Sequence, residues 1–306
     1  MRNFTQHTRD TQPATDFEQL LDLALFEDMQ MVGDLTCLAF VPETAQGRAT
    51  VGARSSGVLA GLLLIPHIVS AVDTKLVWDG TLEDGAEIVC GTVIGTLFGP
   101  ARGILMAERL ILNFLGRLSG IATLTKMYVD AIRGTNAQIY DTRKTTPGWR
   151  WLEKYAVGCG GGTNHRTGLY DAVLIKDNHL ALGRQEDSPF SPAEAVLRAK
   201  NFLYERFSAQ PGGNIPIVEI EVDTLNQLRE ILPTEPDIVL LDNMSPTQLV
   251  EAVHLRNKLN PNVQLEASGG ITLATVRDVA ETGVDRISVG ALTHSVTSLD
   301  FGLDWE

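Results

Sequence analysis

Residues 217–241 carry the sequence IVEIEVDTLNQLREILPTEPDIVLL, and this stretch decides the fold. An apolar run of strand length, Ile217 to Val222, is followed by a helical stretch that starts at a candidate capping box, Thr224 to Gln227. A second apolar run, Ile238 to Leu241, comes next. Two parallel strands need a crossover connection, which is usually a helix. The quoted stretch therefore predicts one unit of a parallel α/β sheet.

The same alternation extends in both directions from this unit. Further runs of strand length are Gln138 to Tyr140, Ala172 to Ile175, Val263 to Ala267 and Arg286 to Val289. Ser191-Pro192 and Ser245-Pro246 are helix starts, each with a capping serine and proline at the first helical position. Six strands with their helices fit either an open doubly wound sheet or a compact, incomplete β/α barrel.

The first half of the chain has a different pattern, with short apolar runs separated by glycine turns. Apolar residues at helical spacing predict a helix over residues 17–28. A long periodic stretch predicts a second helix from Gly103 to about Arg133, broken near Gly120, that joins the two halves. We expect a small α+β domain with strands at Ala49 to Ala53, Val58 to Leu64, Lys75 to Trp78 and Glu87 to Leu97.

The charge of the chain is unevenly distributed. Residues 141–176 hold six Lys/Arg against three Asp/Glu, so the rest of the chain holds 25 − 6 = 19 against 38 − 3 = 35. A basic island in an acidic protein predicts a small, highly charged anionic ligand rather than nucleic acid. Arg150 and Lys154 belong to this island without an assigned role, and we expect them to be solvated surface.

Cysteine use and hydropathy suggest a compartment. The three cysteines are far apart and form no Cys-x-x-Cys pair, which is typical of reduced thiols. The first residues are polar, and no apolar run is long enough to span a bilayer. We expect a cytoplasmic protein that is not bound to a membrane.

Polar or flexible residues follow each strand predicted in the second half. Because the carboxyl ends of barrel strands converge on one face, we expect these residues to form one site. The first two of these strands are followed by basic groups, and the next two by acidic groups. A site that binds an anion beside a magnesium-chelated phosphate ester needs both kinds of group. Structural ion pairing is the alternative for Glu219. The residues are Asp141, Arg143, Lys144, Lys176, Glu219, Glu221, Asp242, Ser268, Gly269, Gly270 and Gly290.

Glycines suggest where phosphate would bind. Ser268-Gly269-Gly270 and Gly290 follow the last two predicted strands, where β/α barrels commonly hold phosphate. The glycine run 158–162 has no strand directly before it, so we interpret it as a mobile loop that delivers His165 and Arg166. The chain has no P-loop, Rossmann, metal-spaced His/Cys or Gly-x-Ser-x-Gly motif, which disfavours hydride transfer and serine hydrolysis.

Several segments together resemble the quinolinate phosphoribosyltransferase family, the carboxylating nicotinate-nucleotide pyrophosphorylases. They are DTRKTTPG (141–148), GGGTNHRTGL (160–169), LIKDNH (174–179), VEIEV (218–222) and LLDNM (240–244). The similarity also includes ALFED (24–28), GDLT (33–36), GVLAG (57–61), ER (108–109), SGIAT (119–123) and ASGGI (267–271), so it covers nearly the whole chain. The N-terminal tail and the stretch 183–213, which would enlarge a surface loop and helix, depart from it.

The resemblance implies a fold and a set of domain limits. It implies an N-terminal α+β sandwich domain and a C-terminal incomplete, seven-stranded-type β/α barrel, within the α/β class. The corresponding ranges are a flexible tail over 1–15, the sandwich with its bridging helix over 16–133 and the barrel over 134–292. Residues 293–306 would pack back on the N-terminal domain.

Residue roles also follow from the resemblance alone. It implies that quinolinate is held by Arg143, His165, Arg166 and Lys176, with Arg109 supplied by a second subunit. Mg²⁺ would be held through Glu221, Asp242 and the substrate, and Lys144, Lys176, Glu221 and Asp242 would be the catalytic residues. Phosphoribosyl pyrophosphate would contact Thr142, Lys144, Glu221, Asp242, Ser268, Gly269, Gly270 and Gly290.

The implied reaction is phosphoribosyl transfer to quinolinate with loss of CO₂ and pyrophosphate, which yields nicotinate mononucleotide for NAD biosynthesis. The implied assembly is a homodimer with shared sites, or a hexamer. Three alternatives stay open: a relative acting on nicotinate without decarboxylation, an aldolase with Lys176 as a Schiff-base amine, and a sensor of phosphorylated metabolites without turnover.

Overall fold

The computed structural model describes residues 2–8, 15–183, 190–208 and 215–306. The chain divides into two compact units. Unit 1 contains Met1–Thr5, Tyr128–Arg143 and Thr163–Gly290. Unit 2 contains Gln6–Met127, Lys144–Gly162 and Ala291–Glu306. The domain limits expected from the sequence stay predictions.

The helices and strands have the following bounds in chain order. They are α1 (Thr15–Met29), α2 (Leu35–Phe40), β1 (Gln46–Ala53), β2 (Gly57–Val58), α3 (Ile65–Val72), β3 (Val77–Gly80), β4 (Glu87–Ile88), β5 (Val93–Pro100), α4 (Ala101–Ala131), β6 (Gln138–Tyr140), α5 (Arg150–Cys159), β7 (Ala172–Ile175), α6 (Asp177–Leu182), α7 (Pro192–Phe207), β8 (Ile217–Val222), α8 (Leu225–Ile231), β9 (Ile238–Asp242), α9 (Pro246–Leu259), β10 (Gln264–Ser268), α10 (Val276–Glu281), β11 (Arg286–Ser288), α11 (Ala291–His294) and β12 (Phe301–Trp305). Short 3-10 helices cover Leu62–Leu64 and Leu232–Thr234.

Unit 2 is built on a four-stranded antiparallel sheet in the order β12-β1-β5-β3. The strand predicted over 58–64 is wrong beyond its first residue. The backbone of Gly61 is left-handed, with φ of 110°, and a 3-10 helix follows it. The Asp84 carboxylate accepts the N–H of Leu62 at 2.9 Å, which holds the chain in this turn.

Helix α4 runs without the break that was expected at Gly120. A Cβ atom on Gly120 would lie 2.3 Å from the carbonyl oxygen of Thr297. The glycine is therefore needed for close approach of the segment before β12, which also belongs to unit 2, and it does not interrupt the helix.

Unit 1 contains a six-stranded parallel sheet in the order β6-β11-β10-β9-β8-β7. The two edge strands, β6 and β7, are neighbours in sequence, as in a barrel that is incomplete between them. Thr163 makes a parallel bridge to Tyr140 at the β6 edge and so adds a seventh segment. The predicted α/β class, with a small antiparallel-sheet domain and an incomplete β/α barrel, is confirmed.

The described residues include parts of the N-terminal tail and of the stretch 183–213, the two regions that depart from the family pattern. Within the expected N-terminal tail, residues 2–8 are described, and Phe4 and His7 are buried. Within the stretch 183–213, helix α7 begins at a capping box formed by Ser191 and Glu194. Residues 9–14, 184–189 and 209–214 lie outside the described residues. None of the described helices has the length and apolar character needed to cross a membrane.

Candidate functional site

The parallel sheet brings the predicted site residues of unit 1 to one edge. Its strands are in register, with Ser268 beside Asp242 and Glu221 beside Leu240, so their carboxyl ends lie together. Residues at or just after these ends are Thr142, Arg143, Lys176, Glu221, Asp242, Ser268, Gly269, Gly270 and Gly290. This edge is called the barrel mouth below.

A buried aspartate fixes the loop that carries His165 and Arg166. Asp141 follows β6 and is fully buried. Its two carboxylate oxygens accept the side-chain amide of Asn164 and the backbone N–H of His165, each at 2.8 Å. The loop is held at its base, and Arg166 starts from a defined position.

The glycine run before this loop is packed, so the prediction of a mobile loop is wrong. Helix α5 extends to Cys159. A Cβ atom on Gly160 would lie 2.3 Å from the carbonyl oxygen of Ala122 on α4, within the same unit. Glycine is required there for contact between backbones.

The guanidinium groups of Arg143 and Arg166 lie close enough for their charges to interact. Arg166 is buried, and one of its terminal nitrogens donates to the carbonyl of Ala172 at 2.9 Å. Burial and the nearby charge of Arg143 both lower the pKa of Arg166. Among the described residues, the Nε atoms of both arginines are buried without a hydrogen-bond partner. Such an arrangement is costly unless an anion compensates it.

The opposite part of the mouth is acidic. Glu221 on β8 forms an ion pair with the ammonium group of Lys176, and both side chains are partly exposed. Asp242 ends the neighbouring strand β9 and accepts a hydrogen bond from the amide of Asn243 at 2.7 Å. Two carboxylates on adjacent strands, both open to the mouth, supply the oxygen ligands that Mg²⁺ prefers.

Glycines after β10 bring the backbone close to Asn243. Gly269 and Gly270 both have left-handed backbone, with φ of 96° and 61°. A Cβ atom on Gly269 would lie 2.2 Å from Oδ1 of Asn243. A side chain at position 269 would require Asn243 to move and would strain the left-handed backbone, which stays exposed at the mouth.

Several residues of the basic island lie in unit 2. The carbonyl of Lys144 accepts the hydroxyl of Thr293 at 2.8 Å. Arg109, which is outside the basic island, also belongs to unit 2, and its side chain is largely exposed, 3.6 Å from the carboxylate of Glu108. The expectation that Lys154 is solvated surface is wrong, because this side chain is fully buried. Arg150 is half-buried, and its Nε donates to the hydroxyl of Thr145 at 3.0 Å.

A second group of charged residues lies inside the sheet, and we call it the inner cluster. Arg286 donates from Nε to Glu266 at 2.8 Å, and its guanidinium lies 3.8 Å from the ring centre of Tyr140. Nε2 of His165 lies 3.1 Å from Glu219 and 3.4 Å from Glu266. The inner cluster consists of Tyr140, His165, Glu219, Glu266, Arg286 and Ser288, all buried.

The inner cluster controls the protonation of His165. Burial lowers the pKa of this ring, but the carboxylates of Glu219 and Glu266 outweigh burial and raise it to about 10. The backbone N–H of Arg166, at 2.8 Å from Nδ1, favours instead the neutral ring with its proton on Nε2. Both forms carry the Nε2 proton, which faces the carboxylates.

Sequence reasoning named Glu219 and His165 but missed Glu266, Arg286 and Phe4. The signal available was a charge within an apolar strand: Glu266 stands between Leu265 and Ala267. Arg286 pairs with Glu266 in register, which follows from strand order and could not be deduced from spacing. Phe4 lies in a polar segment with no periodic pattern.

Comparison with known protein families gives one consistent result. Residues 34–119 match the quinolinate phosphoribosyl transferase N-terminal domain, and residues 121–304 match the C-terminal domain of the same family. The two matches together cover most of the chain, as the resemblance predicted.

Individual proteins agree with this match. A Mycobacterium leprae protein described as nicotinate-nucleotide pyrophosphorylase [carboxylating] is 46% identical over 284 residues, which cover 92% of this chain and 94% of the relative. A Bacillus subtilis protein, described as a probable enzyme of that name, is 41% identical over 94% of this chain and 92% of its own. The solved nicotinate-nucleotide pyrophosphorylase of Francisella tularensis has a TM-score of 0.88 at 35% identity, covering 99% of this chain and all of that one.

Proposed function

Because this chain belongs to the quinolinate phosphoribosyl transferase family, we propose that its barrel mouth joins quinolinate to phosphoribosyl pyrophosphate. The products are nicotinate mononucleotide, CO₂ and pyrophosphate, and the reaction is a step of de novo NAD biosynthesis. The enzyme is a pentosyltransferase.

The observation that carries this proposal is the pair Arg143 and Arg166. Their charges are close enough to lower the pKa of Arg166, and each has a buried Nε without a hydrogen-bond partner among the described residues. Guanidinium groups bind carboxylates through paired hydrogen bonds. A pyridine dicarboxylate supplies two such groups, so Arg143 and Arg166 with Lys176 would hold it.

The acidic part of the mouth would bind the second substrate. Glu221 and Asp242 would hold the ribose hydroxyls and, with the pyrophosphate oxygens, Mg²⁺, which would stabilise the leaving pyrophosphate. Thr142 and Lys144 would contact the same substrate. The exposed backbone of Ser268, Gly269 and Gly270, with Gly290, suits the 5′-phosphate because glycine leaves the N–H groups accessible.

The chemistry needs positioning more than proton transfer. The pyridine nitrogen forms a bond to the anomeric carbon while the bond to pyrophosphate breaks. Glu221 and Asp242 would stabilise the positive charge that develops on the ribose. The ring nitrogen, now cationic, then stabilises the electron pair left at C2 when CO₂ departs, and a proton takes its place. The arginines act by holding two polyanions together against their repulsion.

The exposure of Arg109 supports a proposal about the assembly. This side chain is largely exposed and has only Glu108 as an ion-pair partner, 3.6 Å away, among the described residues. We propose that Arg109 contacts quinolinate bound to a second subunit, in a homodimer or a hexamer with shared sites. We also propose that the enzyme works in the cytoplasm.

A direct assay tests the proposal. Purified protein should release CO₂ and pyrophosphate from quinolinate and phosphoribosyl pyrophosphate only when Mg²⁺ is present. Nicotinate is the matched control, because it lacks the second carboxylate that the arginine pair requires. Turnover of nicotinate at the rate of quinolinate, or no turnover of quinolinate, would contradict the proposal.

Sharing of the site between subunits is tested by complementation. Arg109→Ala and Arg143→Ala should each be inactive. Mixed under conditions of proven subunit exchange, they should regain activity, because some sites then combine two intact halves. No recovery would exclude the shared site.

A further inference from the structure

The N-terminal segment reaches the amino-terminal end of the barrel strands. Arg2 forms an ion pair with Asp237 at 3.0 Å and donates to the carbonyl of Ile215, and these two residues precede β9 and β8. Phe4 is only 5% exposed and packs in an apolar cluster with Ala172, Ile217 and Ile238, at the starts of three strands. Residues 2–4 thus close the interior of the sheet at the end opposite the mouth.

Phe4 also contacts the inner cluster directly. Its ring centre lies 4.4 Å from that of His165, with an angle of 30° between the planes. The guanidinium of Arg286 lies 4.9 Å from the same ring. One residue of a segment without regular structure therefore covers both cationic side chains of the cluster.

His165 is enclosed on every side that could act chemically. Nε2 faces Glu219 and Glu266, and Nδ1 faces the backbone N–H of Arg166. The Phe4 ring lies against the imidazole plane. Both ring nitrogens therefore face protein groups inside the barrel.

The His165 ring can hold the neighbouring residue, Arg166, in position. Arg166 follows it in sequence, and Arg166 is held at its backbone N–H by the His165 ring and at its guanidinium by the carbonyl of Ala172. We propose that Phe4 and His165 are positioning residues that hold Arg166 in place for a dicarboxylate, the His165 ring being clamped between Phe4 and the Glu219–Glu266 carboxylates. This inference rests on the proposed function.

A divalent cation between the three side chains is the competing explanation for the cluster. One ligand atom each from His165, Glu219 and Glu266 lies within 4.8 Å of the other two. Glu266, however, already receives Arg286 on one oxygen and the hydroxyl of Ser288 on the other. A guanidinium at that distance opposes a second positive charge, and the arginine itself balances one of the carboxylates.

The first test separates positioning from stability by steady-state kinetics. Phe4→Ala should raise the KM for quinolinate about tenfold, equivalent to about 1.4 kcal/mol, with the KM for phosphoribosyl pyrophosphate unchanged. Phe4→Tyr should have the same KM for quinolinate as the wild type, because tyrosine keeps the aromatic ring. Ile217→Ala is the matched control, since it truncates a buried side chain of the same apolar cluster. Equal increases in both variants, or no increase in Phe4→Ala, would overturn the proposal.

The second test does not need activity. In ¹⁵N-labelled protein, Phe4→Leu should shift the His165 ring signals and the Arg166 amide signal, whereas Ile217→Ala should leave them in place. Unmoved signals would overturn the proposal even if quinolinate is turned over. If the wild-type protein fails to turn over quinolinate, the proposed function fails alone, and these signals still decide whether Phe4 positions Arg166. Stoichiometric metal in the purified protein that Glu219→Gln removes would favour the cation instead.

Discussion

Glu219 and Glu221 lie on the same strand, two residues apart, and face the same side of the sheet. Glu219 is fully buried beside His165, whereas Glu221 is partly exposed and pairs with Lys176. In the inner cluster, Glu219 lies beside His165 and Arg286 pairs with Glu266, but both carboxylate oxygens of Glu219 are buried without a hydrogen-bond partner among the described residues. The Nε atoms of Arg143 and Arg166 are likewise buried without a partner among them, and there the two neighbouring charges are alike. Depth along the strand therefore separates Glu219, which is enclosed by the protein, from Glu221, which reaches the solvent.

The largest effect should come from removing a cation of the Arg143–Arg166 pair. Arg166→Ala should lower kcat/KM for quinolinate about a thousandfold, because loss of a desolvated charged contact costs up to about 4 kcal/mol. Steady-state assays of CO₂ release measure this. Arg150→Ala is the control, since Arg150 belongs to the basic island but contacts Thr145 in unit 2. Comparable losses in both variants would show that the mouth is not where the dicarboxylate binds.

Removing a charge from the inner cluster should affect folding instead. Glu219→Gln should lower the free energy of unfolding by about 3 kcal/mol, because breaking a buried pair leaves the partner uncompensated. Urea denaturation followed by circular dichroism measures it. A stability equal to that of the wild type would place Glu219 among the mouth residues and remove the distinction drawn above.

Glu221→Gln should show the opposite pattern. The ion pair with Lys176 is partly exposed, and such pairs contribute about 1 kcal/mol or less to stability. Its activity should fall about thirtyfold, or about 2 kcal/mol in the transition state, since one carboxylate near the ribose cation is lost. Urea denaturation measures the change in stability, and steady-state kinetics measure the change in activity. Normal activity with reduced stability would assign Glu221 a structural role.

The sequence predicted the mouth better than the inner cluster, for a physical reason. Mouth residues follow apolar runs, and all parallel strands end at one edge, so order along the chain is enough to group Arg143, Lys176, Glu221 and Asp242. The inner cluster depends on register between strands that are distant in sequence, such as Glu266 beside Arg286. Neither spacing nor composition contains that information.

The structural role of individual glycines was also difficult to predict from the sequence. Gly120 and Gly160 suggested a break and a mobile loop, because glycine is frequent in both. In the structure each glycine allows another backbone to approach, Thr297 in one case and Ala122 in the other. The contact partner of a glycine is a tertiary property, so the sequence predicts a special position without showing which kind.

The smallest effect concerns pH and Glu266. Burial raises the pKa of this carboxyl, but His165 and Arg286 outweigh burial and lower it to about 2 in the folded protein. The unfolded chain binds the proton more tightly, with a pKa of 4.5. The contribution of Glu266 to stability is therefore complete above the unfolded value and is lost as the pH falls toward 2.

Glu266→Gln should accordingly be less stable than the wild type at pH 6, and the difference should shrink at pH 3. Urea denaturation at the two pH values measures it, and Glu251→Gln is a control because Glu251 is an exposed residue of α9. A difference that stays constant between pH 6 and pH 3 would mean that Glu266 is not held ionised by Arg286 and His165. Glu266 would then carry its proton in the folded protein, and Arg286 would lose its carboxylate partner.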